Sequence, residues 1–541
     1  MTHTQDKYTY LKATFGFDEF RPGQEALIDA ILAGRDVLGV MPTGAGKSIC
    51  YELPALMLPG MTLVISPLIS LMIDQVAALK QAGVPAGYIN SALTQSQTVL
   101  ALARAARGAY KVLYVAPERL ETNAFLDFAM AADISMVTVD EAHCVSQWGQ
   151  DFRPSYRRIA AFIGNLRVRP VVSAFTATAT PAVKRDIVLG LELRAPLVMA
   201  TALDRPNLHF AVFKPQDRDA LLVELVLSRA RQSGIVYCGT RKAVDKVCDM
   251  LADEGLPVAK YHAGMDERAR QESQDDFQFD RSSVMVATNA FGMGIDKSNV
   301  GYVIHYNMPR SLEAYYQEAG RAGRDGEKAD CILLYSGQDV MLGRYLIEHS
   351  APNPELTPIE QIELKQREYE KLKQMTFYAT IKDCLRVFML NYFGEAAGAP
   401  CGNCSRCQGE EMPELRRAQP VSRAARAPKR EKAAAKGEKA AKAKPKPKRV
   451  APCPRAQDAP LVALLKKARA ELAGAARVPA YVVFSDASLG VMAEKRPRTK
   501  AEFLALPGVG QYKCDKYAQV FLDVIAQAAP PRSEQDQFPP E

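Results

Sequence analysis

The chain has 541 residues, of which 48% are hydrophobic and 24% are charged. Several domains are expected, because a single hydrophobic core stops growing near roughly 250–300 residues. The sequence contains no run of about 18 apolar residues and no signal-peptide pattern at its start, so neither a membrane span nor secretion is expected. Its 11 cysteines are mostly scattered singly, which favours a reducing cytoplasm over a disulfide framework.

The net charge of +8 is distributed unevenly along the chain. The stretch from Arg416 to Arg455 contains 15 Lys and Arg against 2 Asp and Glu, while the remaining residues include 54 basic and 59 acidic ones. This stretch consists mainly of Ala, Lys, Pro and Arg, and it has too few aliphatic side chains to form a core. Residues 410–456 are therefore predicted to be a disordered basic linker, which either binds nucleic-acid phosphates or is only a solvated tether.

A glycine-rich turn predicts a phosphate-binding loop. It lies between a strand pattern at Val37–Met41 and a helix pattern at Ile49–Leu58. Glycines let backbone N–H groups converge on a polyphosphate, which the N-terminal end of a helix also attracts. Met41 stands where the usual pattern begins with glycine. The lysine of such a loop reaches the β- and γ-phosphates of ATP, and the serine hydroxyl ligates Mg²⁺. The expected nucleotide-binding residues are Thr43, Gly44, Gly46, Lys47 and Ser48.

Two polar residues shortly before this loop are candidates for the base side of the nucleotide site. The amide of Gln24 can donate and accept hydrogen bonds at once, which the edge of adenine requires. Gln24 is therefore predicted to bind the base of ATP, with Arg21 as a second binding residue beside it.

Strand patterns recur after the loop at 62–65, 112–115, 136–139 and 171–174, separated by amphipathic helical segments. This alternation predicts a parallel sheet with helices on both faces, in which ligands bind at the carboxyl ends of the strands. Asp140 and Glu141 directly follow the third of these strands. Asp140 is predicted to hold Mg²⁺ through water, and Glu141 to orient the attacking water. A second series of strand patterns from Ser233 to Ile304 predicts a second domain of the same architecture, without a phosphate loop.

These motifs resemble those of superfamily 2 helicases. The Gly-Lys-Ser loop, Asp-Glu-Ala-His at 140–143 and Thr-Ala-Thr at 176–178 look like motifs I, II and III. The segment Ser146–Tyr156 resembles the aromatic-rich loop of the RecQ family, which joins DNA binding to ATP hydrolysis. Trp148 and Phe152 offer faces on which single-strand bases stack, at about 1–3 kcal/mol per base, and Arg153 is a nearby cation. A tryptophan packed in a core is the alternative at this position.

Two segments of the second series also resemble helicase motifs. Tyr315–Gly326 is similar to motif VI, which faces ATP across the cleft between the two domains. The resemblance implies that Arg324, together with Arg321, stabilises charge on the γ-phosphoryl group during its transfer. Ala290–Asp296 resembles motif V, which relays between ATP and nucleic acid in this family.

Four cysteines predict a metal site. Cys401, Cys404 and Cys407 form a C-x₂-C-x₂-C pattern, and Cys384 lies upstream in a helical pattern that runs from Thr357 to Phe393. Such a set suits a tetrahedral zinc site, although an iron–sulfur cluster is chemically possible as well. The stretch also resembles the zinc subdomain of RecQ proteins, which favours zinc.

A small helical domain is predicted from about Asp458 to Gln527, and four leucines are expected on one face of its first helix: Leu461, Leu464, Leu465 and Leu472. Val478–Asp486 and Leu506–Gly510 resemble the HRDC domain of RecQ helicases, which makes Tyr481 a candidate DNA-binding residue. The Gly508–Gly510 turn either approaches a phosphate or is a plain helix–helix turn. RecQ proteins of full architecture carry a winged-helix domain between the zinc subdomain and the HRDC domain. This sequence has no room for a winged-helix domain there.

On these motifs the sequence is identified as a member of the RecQ family, from Tyr8 to about Cys407 and again from Asp458 to Gln527. The expected fold class is α/β, with two tandem RecA-like parallel-sheet domains followed by smaller helical units. The predicted boundaries are 1–206 and 207–340 for the RecA-like domains, 341–409 for a helical zinc-binding subdomain, 410–456 for the linker, 457–528 for an all-α HRDC-like domain and 529–541 for a tail.

The resemblance implies an ATP-dependent DNA helicase with ATP, Mg²⁺ and Zn²⁺ as cofactors. It also implies 3′→5′ translocation on single-stranded DNA and unwinding of duplex in recombination and repair. The expected partners are single-stranded DNA and DNA junctions or forks, with single-strand-binding protein as a candidate and no membrane. A monomer in the cytoplasm, associated with the nucleoid, is expected. The alternatives are an RNA helicase of the same superfamily and a DNA-binding scaffold with little unwinding activity.

Overall fold

The computed structural model describes residues 3–147, 149, 152–291, 297–410, 459–476 and 480–528. Within these ranges, two parallel sheets covered by helices are followed by two small helical units. Three predicted features lie outside the described residues, namely Trp148, the motif V residues 292–296 and the basic stretch from Arg416 to Arg455.

The first domain contains a seven-stranded sheet in which every pairing is parallel. Its central strands are buried on both faces, as is usual when helices cover a parallel sheet. The strands are Val37–Val40 (β1), Met61–Ile65 (β2), Ala86–Ile89 (β3), Val112–Val115 (β4), Ile134–Val139 (β5), Val171–Thr176 (β6) and Leu197–Ala200 (β7). They pair in the order β3-β4-β2-β5-β6-β1-β7, so the phosphate-loop strand β1 lies two strands from β5.

The helices of this domain cover both faces of the sheet. Several begin at hydroxyl N-caps, such as Thr94, which forms a capping box with Gln97, and Thr180, which precedes a proline. The α-helices are His3–Tyr10 (α1), Gln24–Leu32 (α2), Ile49–Met57 (α3), Ile69–Gln81 (α4), Gln95–Ala106 (α5), Asn123–Ala131 (α6), Ile159–Gly164 (α7) and Pro181–Gly190 (α8). A π-helical turn at Leu11–Phe15 and 3₁₀ turns at Pro117–Arg119, Ala142–Val145 and Pro154–Arg158 complete the domain.

The second domain contains a six-stranded parallel sheet, also buried on both faces. Its strands are Leu208–Phe213 (β8), Ser233–Tyr237 (β9), Val258–Tyr261 (β10), Val284–Ala287 (β11), Val300–His305 (β12) and Ala329–Leu334 (β13). They pair in the order β10-β11-β9-β12-β13-β8. Its helices are Arg218–Leu227 (α9), Arg241–Asp253 (α10), Glu267–Gln278 (α11) and Leu312–Ala319 (α12). The predicted architecture of two RecA-like domains is confirmed.

The cysteine-bearing unit packs onto the second domain and shares its core. Its helices are Gly337–Glu348 (α13), Pro358–Thr380 (α14), Leu385–Tyr392 (α15) and Ser405–Gln408 (α16). Tyr378 of α14 and Met389 of α15 belong to the same buried cluster as residues of β8 and β12. Arg386 reinforces the junction, because its guanidinium donates to the carbonyl of Arg205 at 2.8 Å and also contacts Asp204. The unit is therefore expected to move with the second domain.

The last unit is a separate bundle of five helices with its own core. These are Ala459–Ala476 (α17), Ala480–Val483 (α18), Asp486–Lys495 (α19), Lys500–Leu504 (α20) and Gln511–Gln527 (α21). Leu461 and Leu465 are buried in it, whereas Leu464 is 47% exposed, so the prediction that all four leucines share the core face is wrong at Leu464. Positions 461 and 465 lie one helical turn apart, while position 464 is rotated toward solvent.

Four strands were not predicted from the sequence: β3, β7, β8 and β13. The helical pattern from Thr357 to Phe393 forms two helices in the structure. Helix α14 ends at Thr380, and helix α15 begins at Leu385, directly after Cys384. No helix in the described ranges is long and apolar enough to cross a membrane.

Candidate nucleotide and nucleic-acid site

The phosphate loop lies at the carboxyl end of β1, as predicted. Gly44 and Gly46 have φ values of 85° and 82°, in the left-handed region that disfavours side chains. Lys47 folds back over the loop, with its Nζ 3.4 Å from the carbonyl oxygen of Met41. Ser48 directly precedes α3, so the loop combines backbone donors, a lysine and a helix N-terminus.

Gln24 and Arg21 lie against this loop. The Nε2 of Gln24 donates to the carbonyl oxygens of Gly46 at 3.0 Å and Ala45 at 3.3 Å, and its Oε1 accepts from the Arg21 N–H at 2.8 Å. The Arg21 guanidinium donates to the carbonyl of Gly44 at 2.5 Å. Both donor hydrogens of the Gln24 amide are thus used within the protein, which leaves an acceptor lone pair on Oε1.

The two carboxylates follow β5, where Asp140 is buried and Glu141 is half-buried. Glu141 has a φ of 47°, and Asp140 accepts a hydrogen bond from the Glu141 N–H at 2.9 Å. Burial and the charge of Glu141 raise the pKa of Asp140. Burial also opposes ionisation of Glu141, but its pKa is lowered overall because His143, Lys47 and Arg321 favour the carboxylate. The geometry therefore maintains an ionised Glu141 beside the phosphate loop.

His143 connects these carboxylates to the end of β6. Its Nδ1 lies 2.9 Å from Thr176 Oγ1 and 3.3 Å from Glu141 Oε2. Thr176 in turn donates to the carbonyl of Thr178 at 3.1 Å. The Asp-Glu-Ala-His and Thr-Ala-Thr motifs therefore form one hydrogen-bonded unit, in which His143 has a positioning role that the sequence did not reveal.

Arginines from the second domain reach the same pocket. Arg321 and Arg324 line it together with Lys47, Asp140 and Glu141. Arg324 lies so close to Gly44 that a β-carbon there would stand 3.5 Å from its Cγ. Motif VI therefore lies against the phosphate loop in this structure, on the side that the sequence predicted.

Arg205 supports this turn in a way that no sequence pattern indicated. Its guanidinium donates to three carbonyl oxygens of the motif VI turn, at 2.6 Å to Gly320, 2.9 Å to Ala322 and 2.6 Å to Gly323. An isolated arginine outside any motif carries no periodic or spacing signal, so its role follows only from the fold.

The pocket also contains polar atoms that no protein group satisfies. Among the described residues, Thr43 Oγ1 and Arg321 Nε are buried without a hydrogen-bond partner. Buried polar groups in folded proteins are normally paired, so unpaired ones around a cavity fit a polar ligand. A nucleotide with Mg²⁺ suits this combination of backbone donors, the cations Lys47, Arg321 and Arg324, and the carboxylates Asp140 and Glu141.

The aromatic-rich loop follows the carboxylates directly, and residues 152–156 of it are tied to them. The Tyr156 hydroxyl donates to the carbonyl oxygen of Asp140 at 3.1 Å. Phe152 is half-buried under the Arg157 guanidinium, 4.8 Å from the ring centroid, and Arg153 donates to the carbonyl of Pro67 at 2.9 Å. A change in this loop can therefore reach Asp140 through a single hydrogen bond.

Helix α14 of the cysteine-bearing unit contacts the same loop. Lys371 donates to the carbonyl of Gly149 at 2.5 Å, and Arg367 contacts the Gln147 side chain. Nearer the start of the helix, Glu360 pairs with Arg157 at 3.1 Å. These contacts join the cysteine-bearing unit to the first domain on the side of the predicted DNA-binding loop.

The four predicted metal ligands come together as expected. The Sγ atoms of Cys384, Cys401, Cys404 and Cys407 all lie within 4.8 Å of one another, and two of the pairs are 4.0 Å apart. Zn–S bonds of about 2.3 Å in a tetrahedron require sulfur atoms about 3.8 Å apart. The N–H groups of Cys401 and Asn403 each donate to a cysteine sulfur at 3.3 Å, which favours thiolates. The cluster therefore fits a closed metal site.

The helical bundle docks beside the nucleotide pocket. The Gly508 N–H donates to the carbonyl oxygen of Gly16 at 2.8 Å, and the Tyr517 hydroxyl donates to Gln81 Oε1 at 2.8 Å. On the other side, Phe279 of the second domain packs against the bundle core. The Gly508–Gly510 turn leads into α21 from α20, as in the predicted alternative of a helix–helix turn, and it also contacts the first domain. The backbone of Tyr481 lies in α18, while its side chain is outside the described part of the structure.

Residues of this bundle form one wall of the pocket that contains Lys47 and Gln24. They are Phe484, Ser485, Ser488, Val491, Pro507, Gly508 and Lys513. Burial lowers the pKa of Lys513 to about 8. No sequence pattern indicated this wall, because the contacting residues are far apart along the chain.

Comparison with known proteins first defines the class. Residues 21–186 match the DEAD/DEAH box helicase family, and residues 217–326 match the helicase conserved C-terminal domain. A solved structure of Mss116p bound to ssRNA and AMP-PNP is similar in fold, with a TM-score of 0.54 at 16% identity over 72% of this chain and 89% of that chain. The two sheet domains are therefore those of a DEAD/DEAH box helicase.

The smaller units identify the family. Residues 337–408 match the RecQ zinc-binding family, and residues 458–525 match the HRDC domain. The ATP-dependent DNA helicase RecQ of Bacillus subtilis (strain 168) is 45% identical over 412 residues, covering 76% of this chain and 67% of that protein. Its namesake from Pasteurella multocida (strain Pm70) is 36% identical over 613 aligned positions, covering 96% of this chain and 93% of that protein. The chain belongs to the RecQ family of ATP-dependent DNA helicases.

The matched ranges also agree with the predicted lack of a winged-helix domain. They leave only residues 409–457 between the RecQ zinc-binding match and the HRDC match.

Proposed function

We propose that the protein is an ATP-driven motor that moves 3′→5′ along single-stranded DNA and unwinds duplex in recombination and repair. The observation that carries this proposal is one pocket lined by Lys47 and Glu141 of the first domain and by Arg321 and Arg324 of the second. Because both domains contribute charges to it, occupancy of the pocket is coupled to their relative position.

The roles of the pocket residues follow from their chemistry. Lys47 and the backbone N–H groups of the loop would hold the phosphates, while Ser48 and Asp140 would hold Mg²⁺. A bound Mg²⁺ neutralises charge on the β- and γ-phosphates. The ionised Glu141 would orient the attacking water by accepting its hydrogen bond. Arg324 and Arg321 would stabilise the charge that develops on the γ-phosphoryl oxygens.

The base of the nucleotide would lie on the side of Arg21 and Gln24. Gln24 Oε1 accepts one hydrogen bond from the Arg21 N–H and has a second lone pair. That lone pair can accept from the exocyclic amino group of adenine, which supports ATP as the nucleotide. Thr43 Oγ1, which is buried and has no hydrogen-bond partner in the described part of the chain, is a further group for the phosphates.

Single-stranded DNA is proposed to bind at the aromatic-rich loop through Trp148, Phe152 and Arg153. Stacking of bases on such side chains contributes about 1–3 kcal/mol each and tolerates any sequence. The hydrogen bond from Tyr156 to Asp140 supports coupling between this loop and hydrolysis. Tyr481 of the HRDC domain is proposed as an additional DNA contact.

The four cysteines are proposed to hold one structural Zn²⁺. Four Sγ atoms within 4.8 Å of one another in a partly buried cluster suit a tetrahedral ion without an open coordination position. The further proposals are that the protein acts as a monomer in the cytoplasm, associated with the nucleoid. Its substrates would be forks and junctions, and single-strand-binding protein would be a partner.

Two measurements on the full chain test the proposal. ATPase activity is expected to rise with single-stranded DNA and to remain low with RNA of the same sequence. Duplexes with a 3′ tail are expected to be unwound, whereas those with a 5′ tail are not. Equal stimulation by RNA would support the RNA-helicase alternative. DNA-stimulated ATPase without unwinding of either duplex would instead favour a DNA-binding scaffold.

A further inference from the structure

The segment that joins the two sheet domains is held by the cysteine-bearing unit. This interdomain segment comprises residues 201–207, between the end of β7 and the start of β8. Near its start, the carboxylate of Glu395 accepts a 2.6 Å hydrogen bond from the Leu203 N–H. Near its end, the Nδ2 of Asn403 donates to the carbonyl oxygen of Pro206 at 3.0 Å. The cysteine-bearing unit therefore binds the interdomain segment at both ends.

Asn403 also belongs to the loop of the cysteine cluster. It lies between Cys401 and Cys404, and its N–H donates to the Cys401 sulfur at 3.3 Å. Its side chain donates to a second carbonyl oxygen, that of Leu208 at 3.3 Å, in addition to that of Pro206. One residue therefore contacts a predicted metal ligand through its backbone and the interdomain segment through its side chain.

The interdomain segment in turn holds the motif VI turn. The guanidinium of Arg205 donates to three carbonyl oxygens in 320–323, where helix α12 ends. Carbonyl groups at the C-terminal end of a helix carry partial negative charge, which a cation stabilises. The Nδ2 of Asn207 donates to the carbonyl of Gly323 at 2.9 Å, and a β-carbon on Gly323 would lie 2.5 Å from this nitrogen. The turn is therefore packed directly against the interdomain segment.

Both arginines that line the nucleotide pocket are attached to these carbonyl groups. Arg321 lies between Gly320 and Ala322, and Arg324 directly follows Gly323. A guanidinium presents its donors in a rigid planar fork, so three carbonyl oxygens bound to it are fixed relative to one another. The interdomain segment thus holds the backbone on one side of the turn, while the two arginine side chains reach the pocket on the other.

We infer that Arg205 is a positioning residue for the two motif VI arginines, and that Asn403 connects it to the cysteine cluster. The cluster thereby acts on ATP hydrolysis in addition to stabilising the fold. The inference rests on the proposed function, because it requires Arg321 and Arg324 to act on ATP. Weakening either connection lets the motif VI turn shift while the phosphate loop and Glu141 stay in place. Nucleotide and DNA still bind, but bound ATP reacts more slowly.

The first test is Arg205→Lys in the full chain. Lysine keeps the charge but has no fork of donors, so the kcat of ATP hydrolysis with saturating single-stranded DNA should fall about tenfold. The KM for ATP and the affinity for DNA should not change. Arg35→Lys is the control, because Arg35 donates to the carbonyl oxygens of Ala195 at 2.9 Å and Pro196 at 3.2 Å, at the opposite end of β7. A wild-type kcat for Arg205→Lys would overturn the inference, as would a loss of ATP affinity in place of kcat.

Asn403→Ala tests the connection to the cluster. This variant keeps the N–H on the Cys401 sulfur but loses both hydrogen bonds to the interdomain segment and β8. Its zinc content by elemental analysis should equal that of the wild type, while kcat should fall about threefold. Gln408→Ala is the control, because Gln408 donates to the Gly402 carbonyl within the cluster loop at 3.1 Å. Equal kcat values for these two variants would overturn the connection, as would a fall in kcat matched by a loss of zinc.

A double variant and a third arginine variant complete the test. Because Asn403 acts through Arg205, adding Asn403→Ala to Arg205→Lys should cause little further loss of kcat, whereas independent effects would multiply and contradict the inference. Failure of the proposed function is distinguishable through Arg324→Lys. A wild-type kcat in Arg324→Lys would refute the role proposed for Arg324 itself. A lowered kcat there, together with a wild-type kcat in Arg205→Lys, would overturn the inference alone.

Discussion

The N–H of Gly508 donates a 2.8 Å hydrogen bond to the carbonyl oxygen of Gly16, which joins the HRDC domain to the residues that lead into the nucleotide pocket. Neither partner could carry a side chain without strain, since φ is 78° at Gly16 and 81° at Gly508. A β-carbon on Gly16 would lie 2.4 Å from the Val509 nitrogen. The contact is thus made backbone to backbone, and it brings the HRDC domain close enough to form a wall of the pocket.

Gly16→Ala is expected to release this docking. The substitution places a methyl group on the Val509 backbone, and it also costs about 1–2 kcal/mol for the left-handed conformation. Amide hydrogen exchange at 508–517 should become faster. Gly34→Ala is the control, because Gly34 has the same φ of 78° but a β-carbon there meets nothing within 4 Å. Similar exchange at 508–517 in the two variants would show that the contact does not hold the domain.

Lys513 gives a pH dependence with a defined sign. Burial lowers its pKa to about 8, below the ordinary value of roughly 10.4. Between these two values the unfolded chain binds more protons than the folded one, so the free energy of unfolding rises with pH in that window. Lys513→Met removes this effect. The variant should be more stable than the wild type below pH 8, and the difference should shrink as the pH approaches 10.

Calorimetry of the wild type, Lys513→Met and Lys516→Met across this range provides the measurement. Lys516 lies on the same helix, but its Nζ bonds to Gln81 at 3.0 Å instead of lining the pocket. A stability difference between Lys513→Met and the wild type that is the same at pH 7 and pH 10 would mean that the Lys513 amine is not buried as the structure indicates.

Glu141→Gln is expected to stop turnover while leaving nucleotide binding nearly intact. The amide cannot replace the carboxylate that orients water, and loss of such a group typically costs about 10²–10⁴-fold in rate. ATPase at saturating single-stranded DNA and binding of a non-hydrolysable ATP analogue would be compared with those of Glu118→Gln, an exposed residue of the same domain. A Glu141→Gln rate within threefold of the wild type would remove Glu141 from the mechanism.

Cys404→Ser is expected to lower metal content and soluble yield together. Structural zinc contributes directly to folding, and Cys404 is fully buried where the cluster meets β8. Elemental analysis should give one zinc per chain in the wild type. Cys248→Ser is the control, since this half-buried cysteine lies outside the cluster. Iron in the wild-type protein, or unchanged zinc in Cys404→Ser, would refute the assignment.

The sequence predicted the features that depend on local patterns. The strand before Thr43, the carboxylates after β5 and the cysteine spacing each lie within a short segment, so residue type and period were sufficient. Strand β3 was missed because its sequence, Ala-Gly-Tyr-Ile, includes a glycine at position 87 and only one β-branched residue. Leu464 was misplaced for a related reason, since neighbouring leucines make the apolar face of a helix look wider than it is.

The contacts that complete the site could not be predicted from the sequence. Arg205 and Lys513 belong to no motif that the sequence analysis assigned, and their partners are distant in the chain. The Gly508–Gly510 turn shows the same limit, because glycine permits a close approach without specifying what approaches. Tertiary packing alone determined that the partner is the backbone at Gly16.

Helix α14 has a mechanical consequence. Its C-terminal half is anchored in the core of the second domain by Tyr378, while Glu360 near its other end pairs with Arg157 beside the aromatic-rich loop. At 1.5 Å per residue these two positions are about 27 Å apart, so the helix is a lever arm. A rotation of about 7° at the anchor would displace the far end by roughly 3.3 Å. A small rotation of the second domain relative to the first would therefore move the Glu360 end of α14, which contacts the aromatic-rich loop, further than the end anchored by Tyr378.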